Sequence, residues 1–150
     1  MHSTIDWIIE GQDLYSVSPD VTVLEVARFM AERRIGAVSV LDNERLVGII
    51  SERDLMTKVV AEGRDPKETR VREVMSHRLV HGKRGDTYHL CIEKMLDQNC
   101  RHLPILDEDR VVGMVSIRDL YRVEATEMAE EIEHMTAYMY SSPKVAKGSI

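Results

Sequence analysis

The stretch Leu41–Leu55, which reads LDNERLVGIISERDL, returns 65 residues later as LDEDRVVGMVSIRDL over Leu106–Leu120. No gap is needed, and most differences exchange one apolar or one acidic residue for another. Thr22 recurs at the same offset as Thr87. A single offset held over so many positions indicates that the chain contains one structural unit twice.

Each unit has the same predicted order of elements. Thr22, with Glu25 three residues later, has the pattern of a capping box at a helix start, and Gly36 suits the end of that helix. Apolar runs bounded by turn residues predict the strands that follow. In the first copy we expect an extended piece at 14–17, a helix from 22, strands at 37–41 and 46–50, and a helix from 51 to about 61. In the second we expect a helix from 88 to about 98, strands near 103–106 and 111–115, and a helix from 117.

These elements predict an α/β fold in which two β-α-β-β-α repeats pack against each other, because a unit of roughly 60 residues buries too little surface alone. A polar segment, 62–70, reads as the linker, and Val71–Met75 reads as a short helix. The expected divisions are a first repeat with the N-terminal segment at 1–66, a second repeat at 67–123, a C-terminal amphipathic helix at 124–140 and a disordered tail at 141–150.

The C-terminal helix carries an apolar stripe at alternating three- and four-residue spacing, which is typical of a coiled-coil seam. Its members are Ala125, Met128, Ile132, Met135 and Met139. Two heptads are marginal alone. The stripe therefore either packs on its own domain or forms a dimer contact.

Composition excludes several classes of protein. A formal net charge of −6 disfavours non-specific binding to nucleic acid or to an anionic membrane. No apolar run is long enough to span a bilayer, and the N-terminus lacks a signal peptide, so we expect a cytoplasmic protein. Cys91 and Cys100 are expected to be reduced, with Cys91 in the core, and the spacing of the six histidines matches no metal site.

A glycine, a serine, an arginine and an aspartate recur where a strand meets a helix. They are Gly48, Ser51, Arg53 and Asp54, with twins at Gly113, Ser116, Arg118 and Asp119. Capping alone explains a serine followed by an aspartate at this spacing. However, an arginine in a first helical turn opposes the helix dipole unless an anion lies nearby, and glycine lets a ligand approach the backbone. Helix amides, a hydroxyl and an arginine bind phosphate, and an ionised aspartate accepts hydrogen bonds from ribose hydroxyls.

The motif is therefore either a pair of helix caps or the polar half of a nucleotide site. The apolar half would come from the strand before each motif, at 35–38 and 100–103, whose small or flat surfaces suit a purine.

The pattern LVGIISERDL, with RHLPILD upstream in the second copy, resembles the cystathionine-β-synthase (CBS) domain. The resemblance covers about residues 5–123, and the tandem resembles a stand-alone CBS pair, or Bateman module. It implies two repeats about a pseudo-twofold axis and adenosine ligands such as AMP, ADP, ATP, NAD or S-adenosylmethionine. In that family the aspartate holds the ribose and the serine or threonine contacts phosphate. The nucleotide-binding residues carried over are Val17, Ile35, Ala37, Val38, Ser51, Arg53, Asp54, Lys58, Cys100, Arg101, His102, Leu103, Pro104, Ser116, Arg118 and Asp119.

The two copies depart from the family pattern in different ways. Copy one has Ser39 in place of a proline, and copy two has Arg101 in place of a glycine. Lys58 has no basic counterpart, because Val123 stands at that position of copy two. We expect two unequal clefts and favour the one containing Asp54, with Arg53 and Lys58 as phosphate partners.

The expected function is a regulatory sensor with no catalytic cofactor, no metal and no catalytic residues. It would bind an adenosine nucleotide, form a homodimer and act on an unknown downstream protein, with no nucleic acid or membrane partner. The alternative is a structural interaction module without a nucleotide ligand. An enzyme that turns over the bound nucleotide is the third and weakest reading.

Overall fold

The structure is a computed structural model that describes residues 4–77 and 79–141. The first repeat begins with a short helix and ends in a helix whose geometry changes after one turn. Its elements are α1 (Asp6–Ile9), β1 (Ser16–Val17), α2 (Val23–Arg33), β2 (Ala37–Asp42), β3 (Arg45–Ser51) and α3 (Glu52–Asp54), which continues as a π-helical segment (Leu55–Val60).

The second repeat follows the same order. Its elements are α4 (Val71–Val74), β4 (Gly82–Lys83), α5 (Tyr88–Asp97), β5 (His102–Asp107), β6 (Arg110–Ser116) and α6 (Ile117–Ser141). Each repeat forms its own three-stranded sheet, β1-β2-β3 or β4-β5-β6, with the first pair parallel and the second antiparallel. The predicted α/β repeats, and the strand and helix positions to within about two residues, are confirmed.

The predicted helix start at Thr22 is confirmed, but the predicted helix end is wrong. The Thr22 side chain accepts a hydrogen bond from Glu25 N, and Glu25 in turn accepts one from Thr22 N. The left-handed residue that ends α2 is Arg34, with φ of 54°, and not Gly36. A Cβ on Gly36 would lie 3.3 Å from both the Glu52 carboxylate and the His102 ring, so a larger residue there would require these two side chains to shift slightly.

The two hydrophobic cores exchange their first helices. Ile5 and Ile9, from the start of the chain, pack in the core of the second repeat, whereas Val71 and Val74 pack in the core of the first. Each core therefore contains residues of a short helix segment that lies on the other side of the polar linker in the sequence. The predicted division near residue 66 stays a prediction, because each packing unit draws on both sides of it.

This exchange explains the two motif glycines, which we had assigned to ligand approach. A Cβ on Gly48 would lie 2.7 Å from Met75 Sδ and 2.8 Å from the backbone oxygen of Ser76. A Cβ on Gly113 would lie 2.5 Å from Ile9 Cγ2. The assignment to ligand approach is wrong, because the glycines make room for the exchanged segments.

The predicted C-terminal helix is the continuation of α6 and not a separate element. The Tyr88 hydroxyl donates a hydrogen bond to Glu127, which joins α6 to α5 and raises the pKa of Tyr88 to about 12. Beyond Glu127 the apolar stripe is exposed, from 57% at Met128 to 75% at Met139. Of the predicted tail, Ser141 is the last residue of α6, and 142–150 lie outside the described residues.

Cys91 is fully buried in the second core, as predicted, and burial raises the pKa of its thiol to about 11. Within the described ranges, none of the helices has the length and apolar character of a membrane span.

Candidate functional site

Two clefts lie between the repeats, and each is built from both of them. In cleft 1, of about 340 Å³, the motif of the first repeat faces the segment that leads into β5. Its lining residues are Ile49, Ser51, Glu52, Arg53, Asp54, Ser76, Val80, Gln98, Asn99, Cys100, Arg101 and His102.

In cleft 2, of about 950 Å³, the motif of the second repeat faces segment 12–15, the end of α2 and the start of β2. Its lining residues are Gln12, Asp13, Leu14, Tyr15, Met30, Ala31, Arg34, Ile35, Gly36, Ala37, Val38, Ser39, Glu52, Arg101, His102, Met114, Ser116, Ile117, Arg118 and Asp119.

The sequence predicts that each motif aspartate faces the strand before it in the same repeat. In the structure, each aspartate shares its cleft with strand-start residues of the other repeat. Asp54 shares a cleft with Cys100, and Asp119 shares one with Ile35 and Ala37. Matching backbone hydrogen bonds join each motif to its own strand, from Glu52 N to Gly36 O and from Ile117 N to Arg101 O. Each motif is thus anchored beside its own strand but borders a cleft whose opposite wall belongs to the other repeat.

Twelve of the sixteen residues named from sequence line one of the clefts, and four do not. Leu103 is fully buried in the second core, and Pro104 is buried within β5. Val17 packs against the first core. Lys58 bonds to Asp54 and to the backbone oxygen of Val74 and does not line cleft 1, so its role as a phosphate partner stays a prediction.

In the first motif, the serine and the aspartate hydrogen-bond to each other. Ser51 Oγ accepts a hydrogen bond from Asp54 N at 3.2 Å, and Ser51 N donates to Asp54 Oδ2 at 2.9 Å. The Ser51 hydroxyl also donates to Asp54 Oδ2 at 3.0 Å. Lys58 Nζ lies 3.1 Å from Asp54 Oδ1, on a carboxylate side chain that is only 13% exposed. Both carboxylate oxygens of Asp54 are therefore already engaged.

The second motif is more open. Asp119 N donates to Ser116 Oγ at 3.1 Å, and Ser116 N reaches Asp119 Oδ2 at a long 3.4 Å. Among the described residues, no cation pairs with Asp119. The position equivalent to Lys58 is Val123, which is buried in the second core. The Asp119 carboxylate thus keeps most of its capacity to accept hydrogen bonds.

Different side chains stand at equivalent strand positions of the two repeats. Gly36 and Ala37 begin the wall of cleft 2, and Arg101 and His102 stand at the same positions of cleft 1. The His102 ring points towards Gly36 and Glu52, between the two clefts. Burial lowers the pKa of His102, and Arg101 adds to that effect, against the opposing influence of Glu52 and Asp119.

Several lining residues were not among those named from the sequence. Glu52, Arg101 and His102 border both clefts, but only the last two were named from sequence. Arg34 and Ser39 line cleft 2, and the N-terminal segment 12–15 closes one side of it. Ser39 had a sequence signal, because it replaces the expected proline. The contribution of segment 12–15 depends on long-range packing. In the described ranges, no three His, Cys, Asp or Glu side chains are grouped as metal ligands.

Comparison with known proteins decides the family. The sequence model of the CBS domain matches residues 9–61 and again residues 71–126. The chain belongs to the CBS-domain family. Its two repeats form a CBS pair, which is a regulatory and ligand-binding module.

Relatives support the same assignment. The chain is 30% identical to the CBS domain-containing protein CBSX3, mitochondrial, of Arabidopsis thaliana over 87% of its own length, and it spans about two thirds (65%) of that relative. It is 31% identical to the CBS-domain containing protein ATU1752 from Agrobacterium tumefaciens, with a TM-score of 0.71 over 77% of this chain and 92% of the other.

The CBS domain pair of protein MJ0100, solved in complex with 5-methylthioadenosine and S-adenosyl-L-methionine, has the same fold. It is 22% identical, with a TM-score of 0.74 over 83% of this chain and 98% of that chain.

Proposed function

We propose that the chain is a non-catalytic sensor that binds an adenosine nucleotide (AMP, ADP, ATP or NAD) in cleft 2. The observation that carries the proposal is the half-buried Asp119 carboxylate, which borders a cleft of about 950 Å³ and has no cation partner among the described residues. A carboxylate so placed accepts hydrogen bonds from both hydroxyls of a ribose. The volume lies within the range of small-molecule sites.

The other lining residues suit the remaining parts of a nucleotide. Ser116 and Arg118, at the start of α6, and Arg101, beside them at the start of β5, supply phosphate-binding groups. The strand start from Ile35 to Val38 offers small apolar surface for the base. The MJ0100 complex supports the proposal in one respect, because it places adenosine compounds on a CBS pair of this fold.

Cleft 1 is the weaker candidate, contrary to the preference drawn from sequence. Asp54 is held by Ser51 and Lys58, and a ribose would have to displace those bonds. Arg101 and His102 also occupy the wall where a base would lie. Any binding in cleft 1 is therefore expected to be much weaker than in cleft 2.

Thermal unfolding of nucleotide-stripped protein tests this proposal. Samples are heated with AMP, ADP, ATP, NAD or S-adenosylmethionine, and GTP serves as the control nucleotide. A ligand at 100 times its Kd should stabilise the protein by about 2.7 kcal/mol, or roughly 5–10 °C in Tm for a chain of this size. A shift by one adenosine ligand, confirmed by calorimetric titration, supports the proposal. No shift with any of them contradicts it.

A structural interaction module is the second candidate, because the Ser51–Asp54 motif is complete as a helix cap. Under this alternative no nucleotide binds, and dimerisation is the function. Both candidates use the exposed stripe of α6 as a homodimer contact. Sedimentation velocity of the doubly substituted Ile132→Glu, Met135→Glu chain should give a monomer where the original chain gives a dimer. If both the original and the substituted chain form dimers, α6 is not part of the dimer interface.

The regulatory part of the proposal requires two arrangements of the repeats or of the dimer. A ligand shifts such an equilibrium only by its differential affinity for the two states. Amide hydrogen exchange should be slower with ligand than without it in β2 and also in α6. An unidentified downstream protein would recognise the change at α6. We further expect a cytoplasmic protein and no turnover of ATP or NAD. Detection of hydrolysis products by purified protein would contradict the non-enzymatic assignment.

A further inference from the structure

Ser39 is a buried polar residue for which the folding of the chain gives no reason. It lies in the middle strand of the first sheet, opposite Ser16 of β1 and Ile49 of β3. Only 1% of the residue is exposed, and its Oγ has no hydrogen-bond partner within residues 4–77 and 79–141. Burying a hydroxyl without a partner destabilises a protein, so such groups are rare and each calls for an explanation.

The strand geometry directs this hydroxyl away from the core of its own repeat. Val38 and Val40 pack in the first core. Because side chains alternate along a strand, Ser39 faces the other side of the sheet, towards the second repeat. Ser39 is a lining residue of cleft 2, as are Ala37 and Met114. The equivalent residue of β5 is Pro104, which has no hydroxyl, so cleft 1 has no matching group.

We propose that the Ser39 hydroxyl hydrogen-bonds a polar atom on the edge of the adenine and makes cleft 2 specific for that base. This inference rests on the proposed nucleotide function and adds a specificity-determining residue to it. The surrounding apolar residues suit the faces of a planar base, and a hydroxyl both donates and accepts. A buried polar group that a ligand satisfies also discriminates strongly against analogues that lack the matching atom.

The two expected effects of Ser39→Ala have opposite signs. Removing an unpaired buried hydroxyl should raise the Tm of the ligand-free chain by about 2–4 °C. The same substitution should weaken AMP binding about tenfold, because the bound base then loses its partner. Ser16→Ala is the matched control, since it makes the same chemical change one strand away at an exposed residue outside the cleft, and it should change neither quantity.

The decisive experiment is a cycle of variants and analogues by calorimetric titration. The full chain and its Ser39→Ala variant are titrated with AMP, 1-deaza-AMP, 3-deaza-AMP, 7-deaza-AMP and purine riboside monophosphate, each analogue lacking one polar group of the base. We expect one analogue to bind the original chain about tenfold more weakly than AMP and to lose nothing further in Ser39→Ala. Two results would overturn this inference and leave the proposed function standing. One is that Ser39→Ala loses the same affinity for all five ligands, and the other is that Ser39→Ala binds AMP as tightly as the original chain. If neither AMP nor the other adenosine nucleotides bind the original chain, the proposed function fails with it.

Discussion

Cleft 1 and cleft 2 start from the same motif and differ in what surrounds its aspartate. Asp54 is bound by a serine hydroxyl and a lysine, whereas Asp119 has one long backbone contact from Ser116. The bulky Arg101 and His102 in one wall replace Gly36 and Ala37 in the other. The comparison teaches that a repeated motif does not leave the same groups free in both copies, because residues outside the motif decide which of its groups already have a partner.

The largest effect should come from the aspartates. Asp119→Asn keeps the size of the side chain but removes an ionised acceptor, and it should cost about 2–3 kcal/mol of nucleotide binding, or roughly 30–150-fold in Kd. Asp54→Asn should leave that affinity within about threefold and lower stability instead, since it breaks the contacts to Ser51 and Lys58. Titration calorimetry measures both variants. Loss of binding in Asp54→Asn alone would reverse the order of the clefts.

The glycines test the exchanged helices. Gly48→Ala should lower the free energy of unfolding by about 1–3 kcal/mol, because its Cβ meets the backbone of Ser76 at 2.8 Å. Gly113→Ala should lower it by a similar amount, because its Cβ would lie 2.5 Å from Cγ2 and 2.8 Å from Cβ of the buried Ile9. Urea unfolding of both variants measures these losses. Equal stability of Gly48→Ala and the original chain would show that the exchange of first helices is misassigned.

Lys58 tests why cleft 1 is closed. Lys58→Met keeps the apolar stem and removes the ion pair, which is half-exposed at the lysine, so stability should fall by at most about 1 kcal/mol. The freed Asp54 carboxylate should then support weak binding of a second nucleotide. The stoichiometry of a calorimetric titration at high ligand concentration reports this change. A stoichiometry that stays at one would assign the closure to Arg101 and His102 instead.

The smallest effect concerns His102, at the boundary between the clefts. Because burial lowers its pKa in the folded chain, the unfolded chain binds more protons just below the usual histidine pKa of about 6.5. Stability contributed by this residue is therefore present above that value and is lost as pH falls below it. His102→Gln should show a smaller loss of Tm between pH 7.5 and pH 5.5 than the original chain. An equal loss in both would place the dependence on other groups.

The repeat at an offset of 65 residues determined most of the fold, because apolar periodicity, capping pairs and turn residues act locally and are visible in one copy at a time. Thr22 was recognised as a cap, and the motif serines and aspartates were recognised as a cap or a ligand site. The sequence also showed that the copies differ at Ser39, Arg101 and Lys58.

Only the tertiary structure decided how the copies combine. Nothing local in the sequence shows that Ile9 packs in the second core, that Asp119 borders the same cleft as Ala37, or that Lys58 bonds to Asp54 instead of lining the cleft. These contacts join residues far apart in the chain, or depend on which way a flexible side chain turns. They are set by the packing of two complete repeats against each other, and no window of sequence contains that packing.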